Sequence, residues 1–178
     1  MTMPSPRCRA ALAICVLLAL CGVQSAHAYS HFTLSEGTRL RWDAPRVRWF
    51  ATERGEAGIS PAGFQSALAR AFATWEAVPT ATVAFEFVGF TSAEPFEDDG
   101  LSVFGFKPEP EMDRVLGAAT FVVDIITGEI VESDVFFNST FAWSTTGEPD
   151  RFDLPSVALH EIGHFVGLGH SADRKSVV

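Results

Sequence analysis

The chain has 178 residues, with 13 Lys+Arg against 22 Asp+Glu and 47% hydrophobic residues. Its length fits one domain plus a short extension. The formal charge of -9 excludes a nucleic-acid binder, which needs a basic footprint, and the apolar content excludes wholesale disorder.

The amino terminus has the form of a secretory signal peptide. Arg7 and Arg9 make a short basic region, Ala10 to Val23 is a run of 14 uncharged residues, and Ala26-His27-Ala28 gives the small-x-small pattern of a cleavage site. The run is shorter than the ~20 residues a membrane-spanning helix needs. Cleavage after Ala28 is expected, in preference to an uncleaved anchor or a lipid on Cys21, which follows the bulky Leu20. Cys8, Cys15 and Cys21 would leave with residues 1–28, so the three cysteines imply no disulfide. The exported domain would carry 11 basic against 22 acidic residues, a net of -11. It would be held by its core, by metal ions, or by both.

After a short polar segment, residues 29–38, Arg39 to Thr52 alternates through Leu40, Trp42, Val47, Trp49 and Ala51, which predicts a strand broken at Pro45. Ser60-Pro61 reads as a helix start. Phe64, Leu68, Phe72 and Trp75 then form one apolar stripe that ends before Pro79. Thr82 to Phe90 alternates as a half-buried strand. Glu97-Asp98-Asp99-Gly100 is an acidic turn before the apolar run Val103 to Phe106. Ala118 to Ile126 and Ile130 to Phe137 predict two strands joined by a turn at Thr127-Gly128-Glu129. Asp153-Leu154-Pro155-Ser156 opens a second helix, with Asp153 or Leu154 near its cap. The order predicts an α/β or α+β layer, with α+β preferred, built on a mixed sheet with one packing helix and one site-bearing helix.

The second helix carries the chemistry. His160 and His164 are four apart, so their imidazoles project from one face, a turn apart. That spacing lets both ring nitrogens reach one Zn²⁺ at about 2.0–2.1 Å. Glu161 is placed to act as general base on water at the metal. A helix continued to residue 170 would rotate that side chain about 120° away from the metal-facing direction. Breaking the helix at Gly167 lets the chain turn back and offer His170 as third ligand. Three histidines leave a fourth position for water, the open coordination of a catalytic site. The fourth histidine beyond residue 28, His31, reads as a solvated terminal residue. Glu97, Asp98 and Asp99, or Asp124 with Glu129, Glu132 and Asp134, are either hard oxygen ligands for Ca²⁺ or solvated acidic loops.

His160-Glu161-Ile162-Gly163-His164-Phe165-Val166-Gly167-Leu168-Gly169-His170 is the HExxHxxGxxH signature of metzincin zinc peptidases. Ile162-Gly163, Leu168 and Ser171 make it resemble the matrixin branch, of the bacterial secreted type. Weaker landmarks upstream are Arg41-Trp42, Val47-Arg48-Trp49, Ala71 to Val78, Asp99-Gly100, Leu116-Gly117-Ala118 and Phe136-Phe137-Asn138. The resemblance covers residues 39–178.

It implies a zincin-like catalytic domain with a twisted mixed sheet, and a secreted zinc endopeptidase with one catalytic Zn²⁺ on His160, His164 and His170. In the implied mechanism Glu161 takes a proton from water at the zinc and returns it to the leaving amine. The strand matching Ala118 to Val123 is implied to be an exposed edge that pairs with extended substrate, with Gly117, Ala118, Ala119 and Thr120 as substrate-binding residues. Matrixins place a Met in a tight turn about eight residues past the third histidine. Val178 stands there as the last residue, so the carboxyl-terminal part of the domain is expected to be missing. The expected protein is a monomer that acts on peptides, extracellular or periplasmic, with no nucleic-acid partner and no membrane contact after signal cleavage. The other reading is a zinc-binding, catalytically inactive homologue that serves as a binding module.

Overall fold

Ser60 caps the first helix, its side-chain oxygen accepting from Gly63 N at 3.1 Å with Pro61 in the first turn, and the helix (α1) runs Pro61–Glu76. Its buried residues are Phe64, Ala67, Leu68, Ala71 and Phe72, so the expected stripe is buried except for Trp75, which is half-buried. The structure is a computed structural model that describes residues 30–34 and 37–170. The expected signal peptide and the positions past His170, Ser171 and Val178 among them, lie outside the described residues.

The strands are β1 (Ser30–His31), β2 (Arg46–Thr52), β3 (Ala84–Thr91), β4 (Val103–Lys107), β5 (Gly117–Val123), β6 (Ile130–Asn138), β7 (Trp143–Ser144), β8 (Phe152–Asp153) and β9 (Leu168–Gly169). The second helix, α2, is Leu154–Phe165. Five strands form a mixed sheet in the order β3-β2-β4-β6-β5, parallel except for the antiparallel β5. This is the expected α+β architecture.

Alternation in β2 buries Val47, Trp49 and Ala51 while Arg46 and Arg48 face solvent. Trp49 stacks on Phe72 of α1 at 4.7 Å, and Phe104 of β4 meets Phe72 at 5.4 Å and Phe165 of α2 at 5.1 Å. One aromatic core therefore joins both helices to the sheet. Each ring buried there contributes roughly 1.5–3 kcal/mol, so the position of α2 is set by the most apolar part of the molecule. Across β6 the neighbouring residues serve the other face, where Phe136 packs edge-on against Phe96 at 4.9 Å.

Two elements differ from the sequence reading. The half of the first predicted strand before Pro45 makes isolated bridges, Thr33 with Arg39 and Arg41 with Glu129, and the ladder starts at Arg46. The strand predicted to reach Ile126 stops at Val123. The Asp124 carboxylate accepts from Ile126 N at 2.8 Å and Thr127 N at 2.9 Å, capturing donors a longer strand would need. Gly128 closes the turn at φ +75, where a Cβ would also stand 2.5 Å from Arg39 O. Ile125 and Ile126 consequently lie exposed at the tip. Among the described residues no helix is long and apolar enough to cross a membrane.

Candidate metal centre

The site is built from three pieces of chain. Asp153 is the cap of α2, accepting from Ser156 N at 3.0 Å. Leu154, Ala158, Ile162 and Phe165 bury the helix against the core. This leaves His160 exposed and His164 half-buried along the helix, as the four-residue spacing requires. The helix stops where the sequence predicts. Gly167 takes φ +90, its N–H bonds to His164 O at 2.7 Å, and a Cβ there would stand 2.6 Å from Leu40 O. The chain then reverses through β9 and brings His170 back.

The result is a convergent trio. His170 Nε2 lies 3.0 Å from Nε2 of His160 and 3.0 Å from Nε2 of His164. Nitrogens bound to one tetrahedral Zn²⁺ at about 2.0–2.1 Å stand roughly 3.4 Å apart, so the trio needs to open by only a few tenths of an ångström. His164 Nδ1 donates to Leu168 O at 2.7 Å, which keeps the proton on Nδ1 and leaves the Nε2 lone pair free. Burial lowers the pKa of His160, with help from His164 and His170. It also lowers that of His164, partly offset by the Leu168 carbonyl. Both shifts favour the neutral, ligating form. Among the described residues this is the one group of three or more His, Cys, Asp or Glu whose ligand atoms converge.

Glu161 is only 5% exposed, and burial pushes its carboxyl up to about 7. Its Oε2 is buried with no hydrogen-bond partner among the described residues. A buried, unpartnered carboxylate oxygen on the residue next to His160 fits a cation and its water better than it fits packing. The donor set therefore fits zinc. Gly117 brings the sheet to this carboxylate, since a Cβ on it would stand 3.2 Å from Glu161 Cγ. Gly117, Ala118, Ala119 and Thr120 all lie in β5, which pairs, among the described residues, with β6 alone. His31 is exposed, as expected, but belongs to a strand, β1, paired with β9.

Of the acidic residues weighed for calcium, Asp134 and Glu132 make backbone contacts. Asp134 accepts from Phe96 N at 2.6 Å and Val103 N at 2.8 Å, and Glu132 accepts from Gly100 N. Both acids are buried and fasten the acidic turn to β6. Asn138, also buried, donates through Nδ2 to the carbonyls of Glu109, Met112 and Val115. It thereby shapes the loop leading into β5. No periodicity or motif marks its amide as a loop anchor. Phe32 carries no such signal either, although its ring centre is 5.6 Å from that of His164.

Comparison with known proteins agrees with this geometry. The chain is 31% identical over 130 residues to metalloendoproteinase 1 of Glycine max, an alignment covering 65% of this chain and 37% of that protein. It is 31% identical over 127 residues to metalloendoproteinase 2-MMP of Arabidopsis thaliana, covering 64% and 30%. Matrix metalloproteinase-23 of Homo sapiens is 28% identical over 155 residues, covering 79% and 37%. The chain thus spans 30–37% of the length of these relatives. A family model described as matrixin matches residues 41–178, from Arg41 through the whole histidine motif, and the chain accordingly belongs to the matrixin family.

Proposed function

We propose that the protein is an exported zinc endopeptidase, with His160, His164 and His170 as metal ligands and Glu161 as general base and acid. The observation that carries this reading is the convergence of three Nε2 atoms, 3.0 Å apart along two sides, together with the buried, unpartnered oxygen of Glu161, the residue next to His160. A zinc ion held there would supply Lewis-acid polarisation of a peptide carbonyl and would acidify water in the open fourth position.

The remaining work falls to the chain. Glu161 takes a proton from the attacking water and gives it to the departing amine nitrogen. The free edge of β5 lines up an extended peptide by main-chain hydrogen bonds, with Gly117, Ala118, Ala119 and Thr120 as the pairing residues. The short side chains at three of these positions keep the edge open to a second backbone. Export is supported by the basic start, the uncharged run and Ala26-His27-Ala28.

The test compares unaltered protein with Glu161→Gln, which keeps the side chain's shape. Zinc bound at one equivalent by both, with hydrolysis of an unfolded protein reduced about 10²–10⁴-fold in the variant, is the expected result. Equal hydrolysis by both would remove Glu161 from the mechanism. Zinc binding without turnover in the unaltered protein would favour the binding-module reading.

A further inference from the structure

We propose that Ser30 of β1 and Phe32, just after it, are positioning residues for the metal site. Both hold the turn that presents the third histidine, and the Phe32 ring packs against the second histidine. The proposal rests on the zinc reading above.

His170 lies beyond the end of α2, so the helix alone does not fix it. The turn that carries it contains Gly167 and Gly169, and glycine backbone is the least self-constrained of any residue. Its position must therefore come from tertiary contacts, and these come from β1. Ser30 pairs with Gly169 and His31 with Leu168 in an antiparallel ladder. Phe32 N donates to Gly167 O at 2.9 Å, and Ser30 Oγ donates to His170 O at 2.7 Å. The strand is itself tied to the body, because Leu40 N donates to Phe32 O at 2.9 Å. The fit is close: a Cβ on Gly169 would stand 3.0 Å from Ser30 Oγ and 3.5 Å from Phe32 Cε1.

Phe32 also reaches two other parts of the site. Its ring centre is 5.6 Å from that of His164 and 5.5 Å from that of Phe121 on β5. One side chain thus touches the second ligand and the strand proposed to hold substrate. Meanwhile His164 Nδ1 bonds Leu168 O, the residue opposite His31 in the ladder. Loosening β1 would therefore disturb the tautomer-fixing bond of one ligand and the backbone of another. Groups that orient metal ligands without touching the metal typically alter affinity about 10–100-fold when removed.

The experiment measures Zn²⁺ affinity of the full chain by competition with a chromophoric chelator, and records the visible absorption of the Co²⁺-loaded protein as a report on ligand geometry. Phe32→Ala is expected to weaken Zn²⁺ binding about 10–100-fold and to change the Co²⁺ bands, with Phe32→Leu recovering most of the affinity. Ser30→Ala is expected to weaken binding by less, with Ser30→Thr restoring it. Phe87→Ala serves as a packing control, because Phe87 lies on β3 against Trp49 and Phe90, away from the turn. It should lower stability and leave metal affinity unchanged. If Phe32→Ala does not fold, Ser30→Ala and Phe32→Leu carry the comparison. Unchanged affinity and Co²⁺ spectra in the β1 variants, or an equal loss in Phe87→Ala, would overturn the positioning role while leaving the zinc reading intact. An unaltered chain that binds no Zn²⁺ would overturn the zinc reading itself, and this proposal with it.

Discussion

A Cβ on residue 117 would stand 2.8 Å from Phe136 O and 3.2 Å from Glu161 Cγ. The first obstacle is backbone of the neighbouring strand and cannot swing aside; the second is the carboxylate proposed to move the proton. Gly117→Ala must therefore push β5 away from β6, shift Glu161, or do both. Overpacking of this kind costs about 1–3 kcal/mol, which denaturant titration would show as a lowered midpoint. The larger effect should be on turnover, since a displacement of about 1 Å at a catalytic group can cost 10²-fold. Thr120→Ala, three positions along the same strand but exposed, should leave stability within about 0.5 kcal/mol. Full activity in Gly117→Ala at reduced stability would show that the place of Glu161 does not depend on β5.

At the scale of elements, α1 approaches α2 closely. A Cβ on Gly163 would stand 2.9 Å from Trp75 Cζ2, and Trp75 Nε1 donates to Leu159 O at 2.9 Å, one turn earlier on α2. Glycine inside a helix costs about 1 kcal/mol relative to alanine, so Gly163→Ala offers a propensity gain against a steric loss of about 1–3 kcal/mol. The steric term should win and the variant should be less stable. In a Trp75→Phe background, with the six-membered indole ring gone, the same substitution should become neutral or stabilising, which a double-mutant cycle would read directly. The course of α2 is legible in the amino-acid sequence. Asp153, the four-residue histidine spacing and Gly167 are local signals, each acting within one turn of helix. Alternation likewise locates β2 and β3. The end of β5 is hidden because Ile125 and Ile126 have strand-like side chains, and the decision lies with the Asp124 carboxylate beside them. The β1–β9 ladder is hidden for another reason. It joins residues about 140 positions apart, as in the Ser30–His170 bond, and two-residue strands leave no periodicity to detect.

On the scale of the whole molecule, the two faces of the sheet are held by different physics, and this predicts how stability changes with pH. The face toward the helices is packed by an aromatic core, with Glu161 of α2 as a buried carboxyl beside β5. On the other face, Asp134 is 2% exposed and pinned under the acidic turn by two backbone N–H groups. Burial raises its carboxyl from 3.8 to about 6, against the pull of the Val103 and Phe96 amides and with added repulsion from Glu132 and Asp99. Glu132 is raised in the same direction, again mainly by burial. A carboxyl whose pKa is higher folded than unfolded makes the native state bind more protons in that interval, so stability falls as pH rises through it. The contribution of Asp134 is fully present below about pH 4 and gone above about pH 6, on the order of 3 kcal/mol in all. Glu161 titrates abnormally too, up to about 7, so the measurement belongs in metal-free Glu161→Gln protein. There the Asp134 contribution declines from pH 4 to pH 6.5, while His160 and His164, with pKa values lowered by burial, act in the opposite direction. Urea unfolding with and without Asp134→Asn therefore isolates the decline. Adding Asp134→Asn should flatten most of that decline. The amide turns one acceptor into a donor facing a backbone N–H, so at pH 4 this variant should be weaker by about 1–3 kcal/mol. By pH 8, where unaltered Asp134 is a buried anion, the gap should narrow. The same pH dependence of stability with and without Asp134→Asn would show that the acidic turn is not held by a protonated Asp134.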